Sequence, residues 1–429
     1  MSGASLNEYM RSQFPALKNE IKGRPAAYLD GPAGYQVPSR VIRAVEDYFV
    51  TMNANTEGAF ITSKKNDEMI DRARHVFADF FNCSWDEVVF GANMTTMNFA
   101  LSLALMREMQ AGDRVIITEL DHEGNRGPWQ QLQERGIIVD EVKVDVDTCT
   151  LDMNDFAKKI TPNTKVVAVT HASNCVGTIT DVKKIVAMAK DAGAYTVVDA
   201  VHYAAHGPID VKGIETDFLL CSVYKFFGPH IGVMYAKKGV LSKLTPLKVN
   251  AQHNYPPYMM ETGTLHQEGI AGAAEAVDFV AEAGKKYGSE YQGKTANQKP
   301  TRRERILEGL LAFKSYEEEL TKYLIDELSH MKEVTIYGPP EGYPRTSTVS
   351  ITHNDYTPRQ IAEYLGDRGI FVWDGDFYAV KLVERLGLGD KGGVVRIGIA
   401  PYNTKEELSR LITALKDTES LENFMRGRE

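Results

Sequence analysis

Short runs of aliphatic and β-branched residues alternate with stretches of helical spacing between residues 88 and 236. Six of these runs have the length and composition of buried strands: residues 88–90, 115–118, 165–170, 195–199, 217–222 and 232–236. Residues 181–192 carry apolar side chains at helical spacing, and Gly193 ends that pattern. Because strands and helices alternate, we expect an α/β fold with a mostly parallel central sheet.

The pattern changes after Gly284, where residues 285–305 are polar and charged. We expect an irregular insert there. It would separate a large domain, residues 25–284, from a small α+β domain, residues 285–429, with segment 1–24 packing near the latter. The small domain is predicted to contain helices at 303–331, at 357–367 and from 404, and strands at 334–338, 346–352, 370–373 and 394–400.

The composition is typical of a globular enzyme. The chain has 429 residues, 43% of them hydrophobic, which is enough for two domains. Its 58 acidic and 49 basic residues give a net charge of −9, so nucleic acid and anionic membranes are not expected partners. Because there is no signal-peptide pattern and no apolar run long enough to span a bilayer, we expect a cytoplasmic protein.

The four cysteines, at positions 83, 149, 175 and 221, are widely spaced. They form no C-x-x-C pair and no Cys/His cluster with zinc-ligand spacing, so we expect reduced thiols and no metal site.

A lysine follows the strand predicted at 217–222, where an unpaired ammonium group would be costly to bury. An imine with an aldehyde removes that charge, and pyridoxal phosphate is the aldehyde cofactor that uses lysine in this way. Its ring nitrogen requires a carboxylate partner. We therefore predict that Lys225 binds pyridoxal phosphate and that Asp199, at the end of another strand, holds the ring nitrogen. A snorkelling surface lysine and a helix-capping aspartate are the alternatives.

Other polar residues follow the predicted strands, at the sheet edge where ligands of α/β proteins bind. Residues 94–95 begin a helix whose amides and hydroxyls suit a phosphate, and Ser222 and Tyr224 add hydroxyls. His122 is placed to stack on a pyridine ring and Asn174 to bind a phenolic oxygen. Ordinary capping, loop and turn roles are the alternatives for these residues.

Arg396 interrupts an otherwise apolar strand of the small domain. Its guanidinium group suits a bidentate grip on the α-carboxylate of an amino acid, with a structural salt bridge as the alternative.

Several blocks, taken in order, resemble the class V aminotransferase superfamily of fold-type I pyridoxal-phosphate enzymes, and within it the cysteine desulfurase and selenocysteine lyase group. They are AAYLDGPAGYQVP at 26–38, DHEGNRGPW at 121–129, HASNCVGT at 171–178, VDAVHYAAHGPIDV at 198–211, CSVYKFFGPHIGVMY at 221–235, ETGT at 261–264 and VVRIGIAPYNTKEEL at 394–408. The resemblance covers nearly the whole chain. It implies a fold-type I transferase with a small C-terminal α+β domain.

The resemblance also implies roles for individual residues. Lys225 would form the imine, His122 would stack on the ring and Asp199 would pair with its nitrogen. Asn174 and His202 would lie near the cofactor oxygen.

For the phosphate, the resemblance implies binding by Ser222 and by the amides of Met94 and Thr95. Tyr224 replaces a family histidine but keeps a hydrogen-bonding group. Gly263 and Thr264 would reach the phosphate of a partner subunit, which implies a homodimer.

The chain departs from the desulfurase pattern in the loop that carries the sulfur-accepting cysteine. The matching stretch is VWDGDFYA at 372–379, where Tyr378 stands at the cysteine position. A tyrosine cannot form a persulfide. Trp373, Asp374 and Asp376 are expected to shape the substrate pocket beside Tyr378.

We therefore predict a homodimeric pyridoxal-phosphate enzyme that acts on a small amino acid as a C–S or C–Se β-lyase without an enzyme persulfide. An epimerase, an aminotransferase, or a lyase that forms carbon–carbon bonds or decarboxylates is the first alternative. A non-catalytic accessory protein that binds pyridoxal phosphate is the second.

Overall fold

The computed structural model describes residues 5–291 and 299–426. In these ranges the strands are β1 (Glu20–Ile21), β2 (Arg24–Pro25), β3 (Ala27–Tyr28), β4 (Val88–Gly91), β5 (Arg114–Thr118), β6 (Ile138–Val142), β7 (Val144–Asp145), β8 (Thr150–Leu151), β9 (Thr164–Thr170), β10 (Tyr195–Asp199), β11 (Phe218–Ser222), β12 (Gly232–Ala236), β13 (Val334–Tyr337), β14 (Thr348–His353), β15 (Ile370–Phe371), β16 (Trp373–Gly375) and β17 (Val394–Gly398).

The α-helices of the same ranges are α1 (Leu6–Gln13), α2 (Ser39–Thr51), α3 (Ile61–Phe81), α4 (Met94–Met106), α5 (Glu123–Gln130), α6 (Met153–Lys159), α7 (Val182–Asp191), α8 (Val211–Ile214), α9 (Lys238–Leu241), α10 (Gln267–Tyr287), α11 (Arg302–Ser329), α12 (Pro358–Asp367), α13 (Val380–Arg385), α14 (Lys405–Lys416) and α15 (Thr418–Arg426). None of these helices combines the length and apolar character needed to cross a bilayer.

The large sheet contains seven strands in the order β4-β12-β11-β10-β9-β5-β6. All six strands predicted from the sequence are present, and β6 is an additional edge strand. Six of these strands run in the same direction, and β12, between β4 and β11, runs in the opposite direction. The nine residues that separate it from β11 are too few for a crossover connection, so the chain turns back instead.

Both faces of the large sheet are covered. Along β9, Val167 and Val169 belong to one buried apolar cluster, whereas Val166 and Ala168 belong to a second cluster. Successive side chains of a strand point to opposite faces, so helices pack on both sides, as expected for a parallel sheet. This arrangement leaves the carboxyl edge of the sheet as the place where polar groups can gather.

The small sheet is antiparallel throughout, in the order β13-β14-β17-β16. Helix α11 joins it to the large sheet, because its first half contributes Ile306 and Leu310 to the main core and its second half contributes Leu324 and Leu328 to the core of the small sheet.

Two predicted features differ from the structure. The region expected to be irregular, 285–305, includes the last turn of α10 and the start of α11, and its residues 292–298 lie outside the described part. The strand predicted at 370–373 is divided into β15 and β16. The chain changes neighbours there, because β15 pairs with β3 near the N-terminus whereas β16 pairs with β17.

Candidate active site

A cavity lies at the carboxyl edge of the large sheet, where β4, β5, β9, β10 and β11 end. Nine of the residues predicted to bind a cofactor line it: Met94, Thr95, His122, Asn174, Asp199, His202, Ser222, Tyr224 and Lys225. The remaining lining residues are Pro32, Thr170, Ala172 and Val201. The parallel topology thus brings together residues that are far apart in sequence.

Lys225 ends a short 3₁₀ turn directly after β11 and is largely buried. Its Nζ donates a hydrogen bond to the carbonyl oxygen of Pro32 and lies 4.9 Å from the centre of the Tyr224 ring. Burial, together with the positive charge of Arg396, lowers the pKa of Lys225 to about 7. The amine is therefore partly unprotonated at neutral pH, as a nucleophile must be.

Asp199 is the last residue of β10 and is buried. Its Oδ1 accepts a hydrogen bond from the amide of Val201 at 2.9 Å. Burial, assisted by the nearby carboxyl of Asp121 and opposed by the Val201 amide and by Lys225, raises the pKa of Asp199 to about 7. A cationic partner would restore the charged form, because a buried carboxylate is costly without one.

His122 caps the N-terminus of α5, and its Nδ1 accepts a hydrogen bond from the amide of Gly124 at 2.9 Å. The ring proton of neutral His122 therefore resides on Nε2. Burial, followed by the charges of Lys225 and Arg396, lowers the pKa of His122 to about 4. His122 is thus a neutral ring at physiological pH.

Helix α4 begins at the cavity wall. The amide of Met94 donates to the Ser222 hydroxyl at 3.0 Å, and the side chain of Asn93 caps the amide of Thr96 at 2.9 Å. Because amides at the start of a helix carry partial positive charge, this wall is suited to an anion.

Arg396 reaches the site from β17 and is buried. One of its terminal amino groups donates to the carbonyl oxygen of Asn174 at 3.0 Å, and its guanidinium lies 3.9 Å from the centre of the Phe377 ring. Its Nε has no hydrogen-bond partner in the described part of the chain, and burial lowers the pKa of Arg396 to about 10. No ion pair of Arg396 occurs among the described residues, so it stands free to bind an incoming carboxylate.

The Aminotransferase class-V family model matches residues 27–303 and 305–411 of the sequence. The chain belongs to the class V aminotransferase family. The cysteine desulfurases of Yersinia pestis and Pectobacterium atrosepticum are each 30% identical to it, over 96% and 95% of this chain and 98% and 97% of theirs.

Solved structures of cysteine desulfurases have a similar fold. The cysteine desulfurase of Thermococcus onnurineus NA1 superposes with a TM-score of 0.85 at 27% identity, covering 97% of this chain and 99% of that one. The Escherichia coli cysteine desulfurase CsdA shares the fold, with a TM-score of 0.82 at 22% identity and coverage of 98% and 99%. This class V aminotransferase therefore has the fold-type I architecture and is a pyridoxal-phosphate-dependent enzyme.

The residues in the cavity fit pyridoxal phosphate. Lys225 supplies an amine that is partly unprotonated near neutral pH, and Asp199 supplies a buried acid whose negative charge a cationic ring nitrogen would stabilise. Ser222 and the start of α4 supply donors for the phosphate. The bound cofactor withdraws electrons from the Cα of an attached amino acid.

Asp30 is a site residue that the sequence reasoning missed. Its Oδ1 is buried without a hydrogen-bond partner in the described part of the chain, and burial raises the pKa of Asp30 to about 6, although Arg396 and Lys225 oppose the shift. Asp30 lies within the AAYLDGPAGYQVP block, so the resemblance of that block to the family could have identified Asp30 as a site residue.

A loop of the small domain closes over the site. Asn174 donates to the carbonyl oxygen of Phe377 at 3.0 Å, and the amide of Glu123 donates to the carbonyl oxygen of Tyr378 at 2.7 Å. Phe377 and Tyr378 have φ angles of 56° and 57°, in the left-handed region that is costly for such residues. The Tyr378 ring lies 5.5 Å from the His122 ring and is mostly exposed.

The other predicted substrate residues are not among those that line the cavity. Trp373 is half exposed. Asp374 lies 3.4 Å from Arg359 of α12, and it pairs with Val395 rather than with Arg396 in the sheet, so it projects from the opposite face. Asp376 accepts a hydrogen bond from the amide of Tyr378 and thereby stabilises the loop.

Gly263 and Thr264 line a separate cleft, together with apolar residues that include Val249 and Tyr255. The preceding Glu261 forms a buried two-point ion pair with Arg74, at 2.7 and 2.8 Å. This pair fixes the position from which Gly263 and Thr264 project.

The four cysteines do not line the cofactor cavity. Cys149, Cys175 and Cys221 are buried, and burial raises the pKa of Cys175 to about 12 and those of the other two above the ordinary value. Burial likewise raises the pKa of Cys83. These thiols are poorly disposed to act as thiolates.

Proposed function

We propose that this class V aminotransferase is a lyase that breaks the Cβ–S or Cβ–Se bond of cysteine or a related amino acid without forming an enzyme persulfide. The relatives named as cysteine desulfurases support the substrate class. The observation that carries the proposal is the buried guanidinium of Arg396, which has an unpaired Nε and lies beside a cavity that contains an amine but no thiol.

Three side chains have separate roles in the proposed reaction. Arg396 binds the α-carboxylate, which orients the amino acid so that its Cα hydrogen faces Lys225. The Nζ of Lys225 takes that proton, and His122 keeps a proton on Nε2 within the cavity. Cleavage of the Cβ–S bond then releases sulfide. For cysteine, the balanced outcome with one water molecule is pyruvate, ammonia and hydrogen sulfide.

The loop that carries Tyr378 supports a reaction that proceeds without an enzyme persulfide. A desulfurase of this family requires a thiolate at the position of Tyr378, and a phenol cannot accept sulfur in that way. The loop is also held to the large domain by its own backbone, through Asn174 and Glu123.

The cleft around Gly263 and Thr264 supports a homodimer in which each copy completes the phosphate site of the other. Val249 and Tyr255, which line this cleft, are more than half exposed in the single chain. Exposed apolar surface of this kind is typical of an interface between subunits.

Product analysis tests the proposal. The holoenzyme is incubated separately with cysteine, cystine, selenocysteine and aspartate, and products are identified by mass spectrometry. Pyruvate, ammonia and sulfide from cysteine would support the lyase. Retained nitrogen would indicate an epimerase or a carbon–carbon lyase, and the absence of any change in the visible absorbance would indicate an accessory protein.

A matched pair of variants tests the role of Arg396. Arg396→Lys loses the two-point grip, so we expect kcat/KM to fall by about 10- to 150-fold, equivalent to about 1.5–3 kcal/mol for hydrogen bonds to a charged group. Arg359→Lys, at an exposed position outside the cavity, should leave kcat/KM unchanged.

A further inference from the structure

His202 forms part of the cavity wall and also contacts the small domain. Its ring is buried, and Nε2 lies 3.2 Å from the hydroxyl of Thr346 and 3.1 Å from that of Thr348. The hydrogen bonds of the ring among the described residues all involve Nε2, and His202 lines the cofactor cavity. One edge of the ring is thus bound by the small domain, and the other edge opens on the cofactor cavity.

A buried pair supports this ring from behind. The ring of His206 packs against His202 with centres 4.8 Å apart, and its Nδ1 lies 2.8 Å from Oε2 of Glu317. Ser347, between the two threonines, lies 3.0 Å from the same oxygen, and the hydroxyl of Tyr35 lies 3.3 Å from Nε2 of His206.

The protonation state of His202 follows from these surroundings. The titratable and charged groups that face it are His206 with its partner Glu317, Arg396 and Lys225. Burial, followed by the influence of His206, Arg396 and Lys225, lowers the pKa of His202 well below its ordinary value. The ring is therefore neutral at physiological pH and carries a single proton.

The threonine hydroxyls decide where that proton resides. Among the described residues, Nε2 of His202 is the hydrogen-bond partner of both the Thr346 and the Thr348 hydroxyl. A buried hydroxyl proton without an acceptor is costly, so a threonine directs its proton to the lone pair of Nε2. The ring proton then occupies Nδ1, on the cavity side.

We propose that Thr346 and Thr348 are positioning residues that hold His202 as its Nδ1–H tautomer, so that His202 donates a hydrogen bond into the cofactor cavity. The acceptor expected there is an anionic oxygen of bound pyridoxal phosphate. A donor to that oxygen stabilises its ionised form, so the small domain adjusts how tightly the cofactor holds a proton. The inference rests on the cofactor site and is independent of which substrate bond is cleaved.

The first test measures the tautomer directly. NMR spectra of protein with isotopically labelled histidine rings distinguish protonated from unprotonated ring nitrogens, and a His202→Gln variant assigns the His202 signal among the ten histidines. We expect a protonated Nδ1 in the apoprotein and in the holoprotein. A protonated Nε2 in the wild-type protein would overturn the proposal, whatever the variants do.

The second test compares two pairs of substitutions in the holoprotein. Thr346→Val with Thr348→Val removes both hydroxyls and keeps the side-chain shape, whereas Thr346→Ser with Thr348→Ser keeps both hydroxyls. We expect the pH midpoint of the visible absorbance change to rise by about half a unit or more in the valine variant, because the oxygen becomes more basic. The serine variant should keep the wild-type midpoint.

An unchanged midpoint in the valine variant, or equal shifts in both variants, would contradict the proposal. The single variants are measured in the same way, so a folding failure of the double valine variant leaves the valine-to-serine comparison intact at each position.

Discussion

Burial moves the two ionisable partners of the cofactor toward neutrality from opposite directions. The pKa of Lys225 falls and that of Asp199 rises, each chiefly because the charged form loses its contact with water. Binding of the cofactor relieves the cost of burial at both residues. Lys225 loses its charge on forming an imine, and Asp199 gains a cationic neighbour. The cavity is therefore better suited to the loaded than to the empty state.

The pH dependence of cofactor capture follows from Lys225. Only the unprotonated amine attacks the aldehyde, and a pKa lowered to about 7 makes that form abundant above neutral pH and scarce below it. The rate at which apoprotein binds pyridoxal phosphate, followed by visible absorbance, should rise with pH and level off slightly above pH 7. Lys225→Arg should show no imine absorbance at any pH. A rate that continues to rise toward the ordinary lysine pKa would contradict this prediction.

Helices α10 and α11 make direct backbone contact. A Cβ atom on Gly284 would overlap the carbonyl oxygen of Arg305, and a Cβ atom on Gly309 would overlap that of Val280. The two glycines therefore allow the helices to approach closely. Because α11 contributes to both cores, this contact fixes how the helix enters the small domain.

A matched pair of glycine substitutions measures this contact. Gly309→Ala should lower the free energy of unfolding by about 1–3 kcal/mol, because overpacking outweighs the gain in helix propensity. Gly366→Ala in α12 is the control, because a Cβ there would meet nothing within 4 Å; it should raise stability by about 0.5–1 kcal/mol. Urea unfolding of each variant and of the wild-type protein would measure both changes in the free energy of unfolding. A stabilising Gly309→Ala would show that the helices can separate at little cost.

The limits of sequence reasoning are visible in individual elements. The buried strands were predicted because both of their faces are apolar. Strand β6 was not predicted, because it is a partly exposed edge strand in which acidic residues interrupt the apolar pattern. The antiparallel direction of β12 depends on the length of the preceding connection and not on its own composition. The division between β15 and β16 depends on pairing with β3, more than 340 residues earlier.

The candidate site also combines residues that could be predicted from the sequence with residues that could not. Residues at the ends of parallel strands could be predicted, because the topology collects them at one edge of the sheet. Asp30 and Phe377 could not be placed from local pattern, because they reach the site from the N-terminal segment and from a loop of the small domain. The position of Asp374, outside the cavity, depends on which face of β16 meets the site.

Association into a homodimer can be tested by complementation. We expect sedimentation to give twice the mass of one chain. Lys225→Ala should abolish the imine absorbance, and Thr264→Val should weaken cofactor binding if Thr264 serves the partner's site. Mixed dimers of these two variants contain one site with both native residues, so mixing should restore tight cofactor binding to a fraction of the sites. A monomer mass, or no restoration after subunit exchange, would contradict the shared site.

We expect sulfur to leave the substrate without passing through an enzyme thiol, and a variant without cysteine can show whether it does. Cys83, Cys149, Cys175 and Cys221 are replaced together by alanine, and sulfide and pyruvate release from cysteine is measured per cofactor-loaded molecule. We expect turnover at the wild-type rate. Loss of turnover in the loaded variant, recovered when a single cysteine is restored, would contradict it.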